Sequence, residues 1–342
     1  MTSRILPGTD PQAIEQAAQA LKQGKLVAIP TETVYGLGAD ADQDTACHAI
    51  FTAKGRPADH PLIVHISQLE AAKHYAQELP EFALKLIEAY WPGPLTLILQ
   101  RKPSIADAAA GHQKTIGLRC PSHPVAQALL KAFETLGGHG IAAPSANRFG
   151  RTSPTTAQHV QDAFADLSPS PIALILDGGA SDVGIESTIV DCSRSKPVLL
   201  RPGIYTPAEL EATAGVPLLI HADVHVDDPK APGTLSAHYA PKAKVRLMAA
   251  EDLKIAAGML AAASPANNAR IGIYAQHLPK VKKASHIILR QMPGNAKDAA
   301  HELFSALHDF DAQGVSLLWV ETPPDGPEWI GVRDRLQRAA SS

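Results

Sequence analysis

The chain has 342 residues, 45% of them hydrophobic, with 31 lysines and arginines against 34 aspartates and glutamates. That length exceeds one average domain and the apolar share suffices for two cores, while the lack of net positive charge excludes the broad basic field that holds nucleic acid non-specifically, leaving room only for a local basic groove. Three cysteines, Cys47, Cys120 and Cys192, stand far apart without a CxxC pair, which argues against a zinc site or a disulfide framework and for a reducing compartment. Residues 1–10 hold no apolar leader core and no stretch reaches the length of a membrane span, so a soluble, cytoplasmic protein with no membrane partner is expected.

Residues 11–24 carry amphipathic helical spacing and stop at a glycine, and KLVAIP at 25–30 reads as a short buried strand. The polar segment PTETVYGLGADA at 30–41 reads as a loop. Helical spacing returns over 44–53, a strand is expected at 61–66, and one or two helices broken at Pro80 over 67–90. Further strands are expected at 95–99, 115–119, 172–176, 187–191 and 198–201, with helices over 124–136 and 156–164. Strands and helices mix irregularly, which points to an α/β domain with a partly antiparallel sheet rather than a strict βαβ wind. Over 216–241 the periodicity fails among Pro217, Pro229, Pro232 and Pro241, with Asp223, Asp227 and Asp228 between them, and a linker is expected. Beyond it, strands at 245–248, 271–274, 287–289 and 317–320 alternate with helices over 251–263, 296–311 and 328–339. That alternation predicts a small three-layer domain with a largely parallel sheet. It has no glycine-rich phosphate loop and is read as accessory.

The chemistry gathers in a few segments. The loop at 30–41 follows a buried strand and holds Thr31, Glu32, Thr33 and Tyr35 ahead of Gly36 and Gly38, in the kind of place where sites gather; a polar turn whose glycines supply positive φ is an equal alternative. KGRPADHPLIVHI at 54–66 sets Lys54 and Arg56 either side of a glycine, pinned by Pro57. A compact point charge beside a bidentate fork suits a polyphosphate, unless the pair only complements the dipole at a solvated helix end. His65, inside LIVHI, is by itself more often a core residue than a ligand. TIGLRCP at 115–121 puts Arg119 at a strand end, where its guanidinium would clamp a carboxylate or form a surface ion pair of little worth. AAPSANRFGRTSPT at 142–155 offers hydroxyls and the Asn147 amide to phosphate or ribose oxygens or, through Ser153 or Thr155, a cap for the next helix. ESTIVD at 186–191, LLRPG at 199–203 and APGTLSAHYAP at 231–241 add Ser187, Thr188, Arg201 and Tyr239, each with an alternative role in turn formation.

In order and wording these segments resemble the YrdC-type threonylcarbamoyl-AMP synthases: PTETVYGLGADA, KGRP followed by PLIVHI, TIGLRCP, APSANRFG, ESTIVD, LLRPG and a late HYAP. The part beyond the linker is similar to the C-terminal domain of the long form of that family, so the resemblance spans nearly the whole chain. One position departs: His60 stands in KGRPADHP where the family commonly has asparagine, although histidine also donates hydrogen bonds.

The resemblance implies an α/β fold: a YrdC-like catalytic domain over 1–212, with a twisted mixed sheet and helices around a concave pocket, a linker or lid over 213–243, and a smaller Rossmann-like accessory domain over 244–342. It implies a nucleotidyltransferase that converts L-threonine, bicarbonate and ATP to threonylcarbamoyl-AMP and pyrophosphate, for N6-threonylcarbamoyladenosine modification of tRNA. L-threonine is expected at Thr33, Tyr35, His65, Arg119, the backbone at Ala143, and Ser187. ATP is expected at Lys54, Arg56, His60, Thr115, Ser145, Asn147, Ser153 and Arg201, with Tyr239 reaching it from a linker that closes as a lid. Lys54 and Arg56 are the residues expected to carry catalysis. Magnesium is expected to arrive with ATP, without a dedicated protein metal site, and the product to pass to a tRNA threonylcarbamoyl-transferase complex. Because the attacking N-carboxylate is already anionic, positioning, exclusion of water and neutralisation of phosphate charge become the main tasks. Hydroxyls, an amide and several cations match those tasks.

Two other classes compete. An RNA-binding module without its own chemistry would make weak, shape-based contacts to RNA; the acidic balance and the lack of aromatic and basic interleaving count against it. A related carbamoyl-transfer enzyme of hydrogenase maturation would carry cysteine pairs and an acylphosphatase domain, neither of which is visible in this sequence.

Overall fold

The structure, a computed structural model, describes residues 3–220, 229, 231–233, 238–262, 270–280 and 286–342. It falls into two units, Met1–Phe149 with Ser153–Thr234, and Gly150–Thr152 with Leu235–Ser342. Among the described residues, the first unit holds one eleven-stranded sheet in the spatial order β1 (Arg4–Pro7), β8 (Ile172–Asp177), β2 (Leu26–Ile29), β3 (Gly36–Asp40), β7 (Ile141–Ala142), β4 (Ile63–His65), β6 (Thr115–Arg119), β5 (Leu95–Gln100), β9 (Thr188–Asp191), β10 (Val198–Arg201) and β11 (Leu219–Ile220). Parallel pairs such as β2–β8 and β4–β6 adjoin antiparallel ones such as β2–β3 and β5–β6, the mixed sheet that the irregular element order predicts.

Alternation along each strand sorts side chains between two faces. One face packs Ala28, Leu37, Val64, Leu97, Leu118 and Val190 against helices α2 (Asp44–Lys54), α3 (Leu69–Tyr75) and α4 (Glu81–Tyr90), whose Phe51, Tyr75 and Leu86 complete the main core. On the other face, Val27, Ile29, Ile141, Leu174 and Leu176 lie under α1 (Pro11–Lys22) and α5 (Pro124–Thr135) through Leu21, Leu129 and Phe133. Past β7 this second face has a smaller apolar cluster, Ile63, Ile98, Ile189, Val198, Leu200 and Ala231, with no helix residue in it. It is on this less covered half that His65, Thr96, Thr115 and Arg119 point, each one residue out of phase with a main-core neighbour, as does Ser187, three residues before Val190.

The segment at 30–41 is not all loop. Gly36–Asp40 forms β3, antiparallel to β2 with Gly36 opposite Ile29. Neither Gly36 nor Gly38 has positive φ; a Cβ on Gly36 would meet Ala143 Cβ at 3.0 Å, and one on Gly38 would meet Ile141 Cγ2 at 2.9 Å. Close approach of neighbouring strands, not turn geometry, therefore requires glycine here. Strands β1 and β7 and helix α7 (Pro207–Ala214) are further elements that the sequence reading did not assign; β7 has two residues and α7 eight, too few to display a period. In the expected linker, Leu219–Ile220 instead extends the sheet as β11, and residues 221–228, 230 and 234–237 lie outside the described residues.

The second unit has a four-stranded sheet among the described residues, ordered β12 (Lys244–Met248), β15 (Val315–Glu321), β13 (Arg270–Ala275), β14 (Ile287–Gln291), with every pair parallel. Helix α9 (Ala296–Ala312) buries Ala300, Leu303, Phe304, Leu307 and Phe310 at helical spacing. Leu253 and Ala257 of α8 (Ala250–Ala262) pack with Ile271, Ile273 and Trp319, and α10 (Ile330–Ala340) closes the chain's ordered elements. No described helix is long and apolar enough to cross a membrane.

Candidate active site

The turn from β2 into β3 is built by Thr31. Its hydroxyl donates to the Val34 carbonyl at 2.6 Å and accepts from the amides of Thr33 and Val34 at 3.3 Å, a local side-chain turn. This presents Glu32 and Thr33 to Arg119 at the end of β6. Arg119 Nη1 donates to Thr33 Oγ1 at 2.8 Å and Nε to the Gly93 carbonyl at 3.3 Å, while Nη2 lies 2.7 Å from Glu32 Oε1. That last contact is a charge contact rather than an aligned hydrogen bond, because Arg119 Nη2 and both Glu32 oxygens have no hydrogen-bond partner although buried. Arg119 is thus a buried guanidinium, not the surface ion pair that was one expectation. His65, level with Arg119 across β4 and β6, is buried, and its Nδ1 likewise has no aligned partner. Burial, with the Arg119 charge second, pushes its pKa down to about 3, so the ring is neutral at ordinary pH.

Lys54 ends α2. Gly55 follows in the left-handed conformation at φ 65°, a glycine cap that ends the helix. Lys54 is only 2% exposed, and its Nζ donates to the carbonyls of Ser145 at 2.6 Å and Asn147 at 2.5 Å. A solvated helix end is thereby ruled out. Burial, then the charge of Arg56, and also Arg148, hold this amine's pKa well below 10.5, against an opposing pull from Glu186. Arg56 is buried too and donates through Nη2 to the Pro61 carbonyl at 2.9 Å. Ser153 does not cap the next helix: its hydroxyl donates to Glu186, and Thr156 is the cap, accepting from the His159 amide at 3.2 Å. His60 sets its ring edge-on to Phe149 at 5.8 Å between centroids.

The third group depends on a strand defect. A register shift between Leu199 and Arg201 puts Arg201 opposite Ile189, and such a bulge re-aims a side chain, here to the face that Ile189 shares with Ser187. Arg201 Nε and Nη2 donate to the Ser187 carbonyl at 3.1 and 2.9 Å, Nη2 also to Ser187 Oγ at 3.1 Å, and Nη1 to the Pro232 carbonyl at 2.7 Å. Ser187 Oγ pairs with Thr96 Oγ1 at 2.8 Å. Thr115, Gly117, Thr96, Ile63 and Pro232 line a narrow groove alongside.

Direct contacts thus join Thr33 to Arg119, Lys54 to Ser145 and Asn147, and Ser187 to Arg201. Tyr35 lies apart from Arg119: its hydroxyl donates to the Gly179 carbonyl at 2.7 Å and accepts from the Gly178 amide at 3.1 Å, and burial raises its pKa to about 12. The Ala143 amide is used by the Ile63 carbonyl at 2.9 Å. Tyr239 belongs to the second unit, at φ 65°, with its ring 5.5 Å from that of Phe304 and under the Arg335 guanidinium. The sequence reading assigned no role to Glu32, Thr96, Arg148 or Glu186. Glu32 and Glu186 stood inside quoted motifs, beside Thr33 and Ser187, and a carboxylate flanked by hydroxyls was the available signal.

Comparison with known proteins identifies the family. The family profile described as Telomere recombination matches residues 19–203, and that described as Threonylcarbamoyl-AMP synthase, C-terminal domain, matches residues 205–341. The chain is 37% identical to the threonylcarbamoyl-AMP synthase of Pyrococcus abyssi over 96% of its own length and 94% of the relative's, and 38% identical to that of Bacillus subtilis over 98% and 94%. Among solved structures, P. abyssi Sua5 complexed with L-threonine superposes with a TM-score of 0.84 at 36% identity, covering 99% of this chain and 97% of that one. A double alanine variant of the same protein gives 0.86 at 35% identity, covering 99% and 96%. By fold, by full-length similarity and by both domain matches, the chain belongs to the threonylcarbamoyl-AMP synthase family of enzymes.

Proposed function

We propose that the first unit binds L-threonine around Arg119 and ATP along Lys54, Arg56 and Arg201, and joins them with bicarbonate into threonylcarbamoyl-AMP. The observation that carries this reading is the set of buried groups gathered at one place on the sheet: Arg119, paired with Glu32 at 2.7 Å, with Glu32 Oε2 and His65 Nδ1 left without hydrogen-bond partners. Buried unpartnered polar atoms are rare in folded proteins, and here they surround a fork suited to a carboxylate. The relative solved with L-threonine supports the choice of amino acid.

In the proposed reaction the threonine amine captures bicarbonate-derived carbon dioxide to give an N-carboxylate. An oxygen of that group attacks the α-phosphorus of ATP; an O–P bond forms, and the bond to the bridging oxygen breaks as its electron pair leaves with pyrophosphate. Lys54, Arg56 and Arg201 supply positive charge at the phosphates. His60, Thr115, Ser145, Asn147 and Ser153 are proposed to contact the nucleotide, and Tyr35, Ala143 and Ser187 to shape the threonine pocket. Neutral His65 offers hydrogen bonds and no charge. Magnesium enters as part of the nucleotide substrate, held by phosphate oxygens and water. The product is a labile mixed anhydride, so hand-over to a tRNA threonylcarbamoyl-transferase in the cytoplasm is the proposed next step.

Pyrophosphate release from ATP, with threonine and bicarbonate each present or omitted, tests the reading. Release is expected only with both, and Lys54→Ala suppresses it. Release independent of threonine would overturn the assignment.

A further inference from the structure

Three side chains from separate segments of the first unit converge away from the pocket: Asp42 in the turn between β3 and α2, His74 near the end of α3, and His139 in the connection from α5 to β7. One oxygen of Asp42 lies 3.1 Å from His74 Nε2 and 3.0 Å from His139 Nδ1. The two imidazoles stack, 3.7 Å between centroids and 4° between planes, and the three donor atoms all lie within 4.8 Å of one another. Around a tetrahedral zinc ion with bonds of about 2.0–2.2 Å, ligand atoms stand roughly 3.2–3.6 Å apart; the ion also lies in the plane of each imidazole it binds, so the two rings have to unstack to share it, a movement open to side chains 27% and 51% exposed.

The surroundings favour a cation. The buried Tyr75 hydroxyl has no aligned hydrogen-bond partner and lies near the same carboxylate, as a supporting group behind a ligand would. Asp40 adds negative charge to the cleft, and among the described residues Lys22, whose amine donates to the Gly137 carbonyl at 3.0 Å, is its one lysine or arginine. The cluster is distinct from the pocket. A Cβ on Gly140, beside His139, would meet Val64 and Tyr75, which belong to the helix-covered face of the sheet, whereas His65 points to the other face.

We propose that Asp42, His74 and His139 form a site for a divalent transition-metal ion of the zinc class, separate from the magnesium carried by ATP. Two imidazole nitrogens with one carboxylate oxygen select such borderline ions over magnesium, which prefers all-oxygen shells. The ion would tie together segments far apart in sequence and leave further coordination positions to water.

The test uses the full chain, stripped with a chelator and titrated separately with Zn2+, Co2+ and Mg2+. Expected are one zinc per chain retained through gel filtration, a visible cobalt absorption, and a Tm raised by zinc but not by magnesium. His139→Asn, at an exposed ring, and Asp42→Asn should each weaken zinc binding by about tenfold or more while leaving pyrophosphate release unchanged, with circular dichroism verifying their folding. Zinc affinity equal in wild type and both variants, or no zinc retained by the wild type, overturns the site; the wild-type cobalt spectrum decides the matter should a variant fail to fold.

Discussion

Arg119 and Glu32 meet at 2.7 Å with side chains only 4% and 5% exposed. A carboxylate of the protein therefore already lies against the guanidinium proposed to receive the substrate carboxylate. Breaking a buried pair by removing one charge costs about 3–5 kcal/mol, because the other is left uncompensated. In Glu32→Gln that charge is Arg119's, and a bound threonine carboxylate would compensate it. The variant should have a lower Tm than wild type alone, a larger rise in Tm with threonine, and a lower KM for threonine. A raised KM would instead make Glu32 the group that holds Arg119 in position.

Arg119→Lys keeps the charge but loses the fork, along with the bonds to Thr33 and Gly93. A charged hydrogen bond contributes about 1.5–3 kcal/mol, so the KM for threonine should rise by roughly ten- to hundredfold with little change in the KM for ATP. Steady-state pyrophosphate release with each substrate varied separates the two; equal effects on both would place Arg119 elsewhere in the reaction.

Lys54 gives a proton-linked prediction. Burial and the charges of Arg56 and Arg148 hold its amine below 10.5, and an adjacent polyphosphate would favour the charged form. Binding of ATP should therefore take up protons in the window between the depressed value and the restored one. The same depression means that the unfolded chain holds more protons in the window below 10.5, so this group's contribution makes stability rise with pH there. Calorimetry of ATP binding at mildly alkaline pH, in buffers of different ionisation enthalpy, measures the uptake. Lys54→Arg, permanently charged, should bind without it; equal uptake in both proteins would assign the proton to another group.

Much of this was legible in the sequence, for reasons that individual residues make plain. Leu26–Ile29 and Thr115–Arg119 read as strands because an apolar run or an apolar alternation needs a buried sheet, and Lys54 and Arg119 stood out because cations beside buried segments need a reason. What escaped depends on distant partners. Glu32 acquires its meaning from Arg119, which only strand order brings to it. Thr96, in an apolar run, reads as a strand former until Ser187 Oγ is found 2.8 Å away. Arg201 would face the main core by simple alternation after Leu199; the bulge that turns it leaves no mark in composition. The second unit was plain from its regular alternation of strand and helix.

His65 supplies the last prediction. Its folded pKa of about 3 lies below the ordinary value of about 6.5 for an unfolded histidine, so between these values the unfolded chain carries a proton that the folded chain does not. The resulting contribution is largest above the unfolded value and is lost as pH falls toward the folded one, at up to about 1.4 kcal/mol per pH unit. His65→Gln removes the group from both states, so its stability should vary less steeply between about pH 7 and 5, where most carboxylates keep their charge. Urea unfolding of both proteins across that range measures the difference in slope. Parallel slopes would mean that His65 takes up a proton in the folded protein as readily as in the unfolded chain, and that its burial beside Arg119 does not keep it neutral.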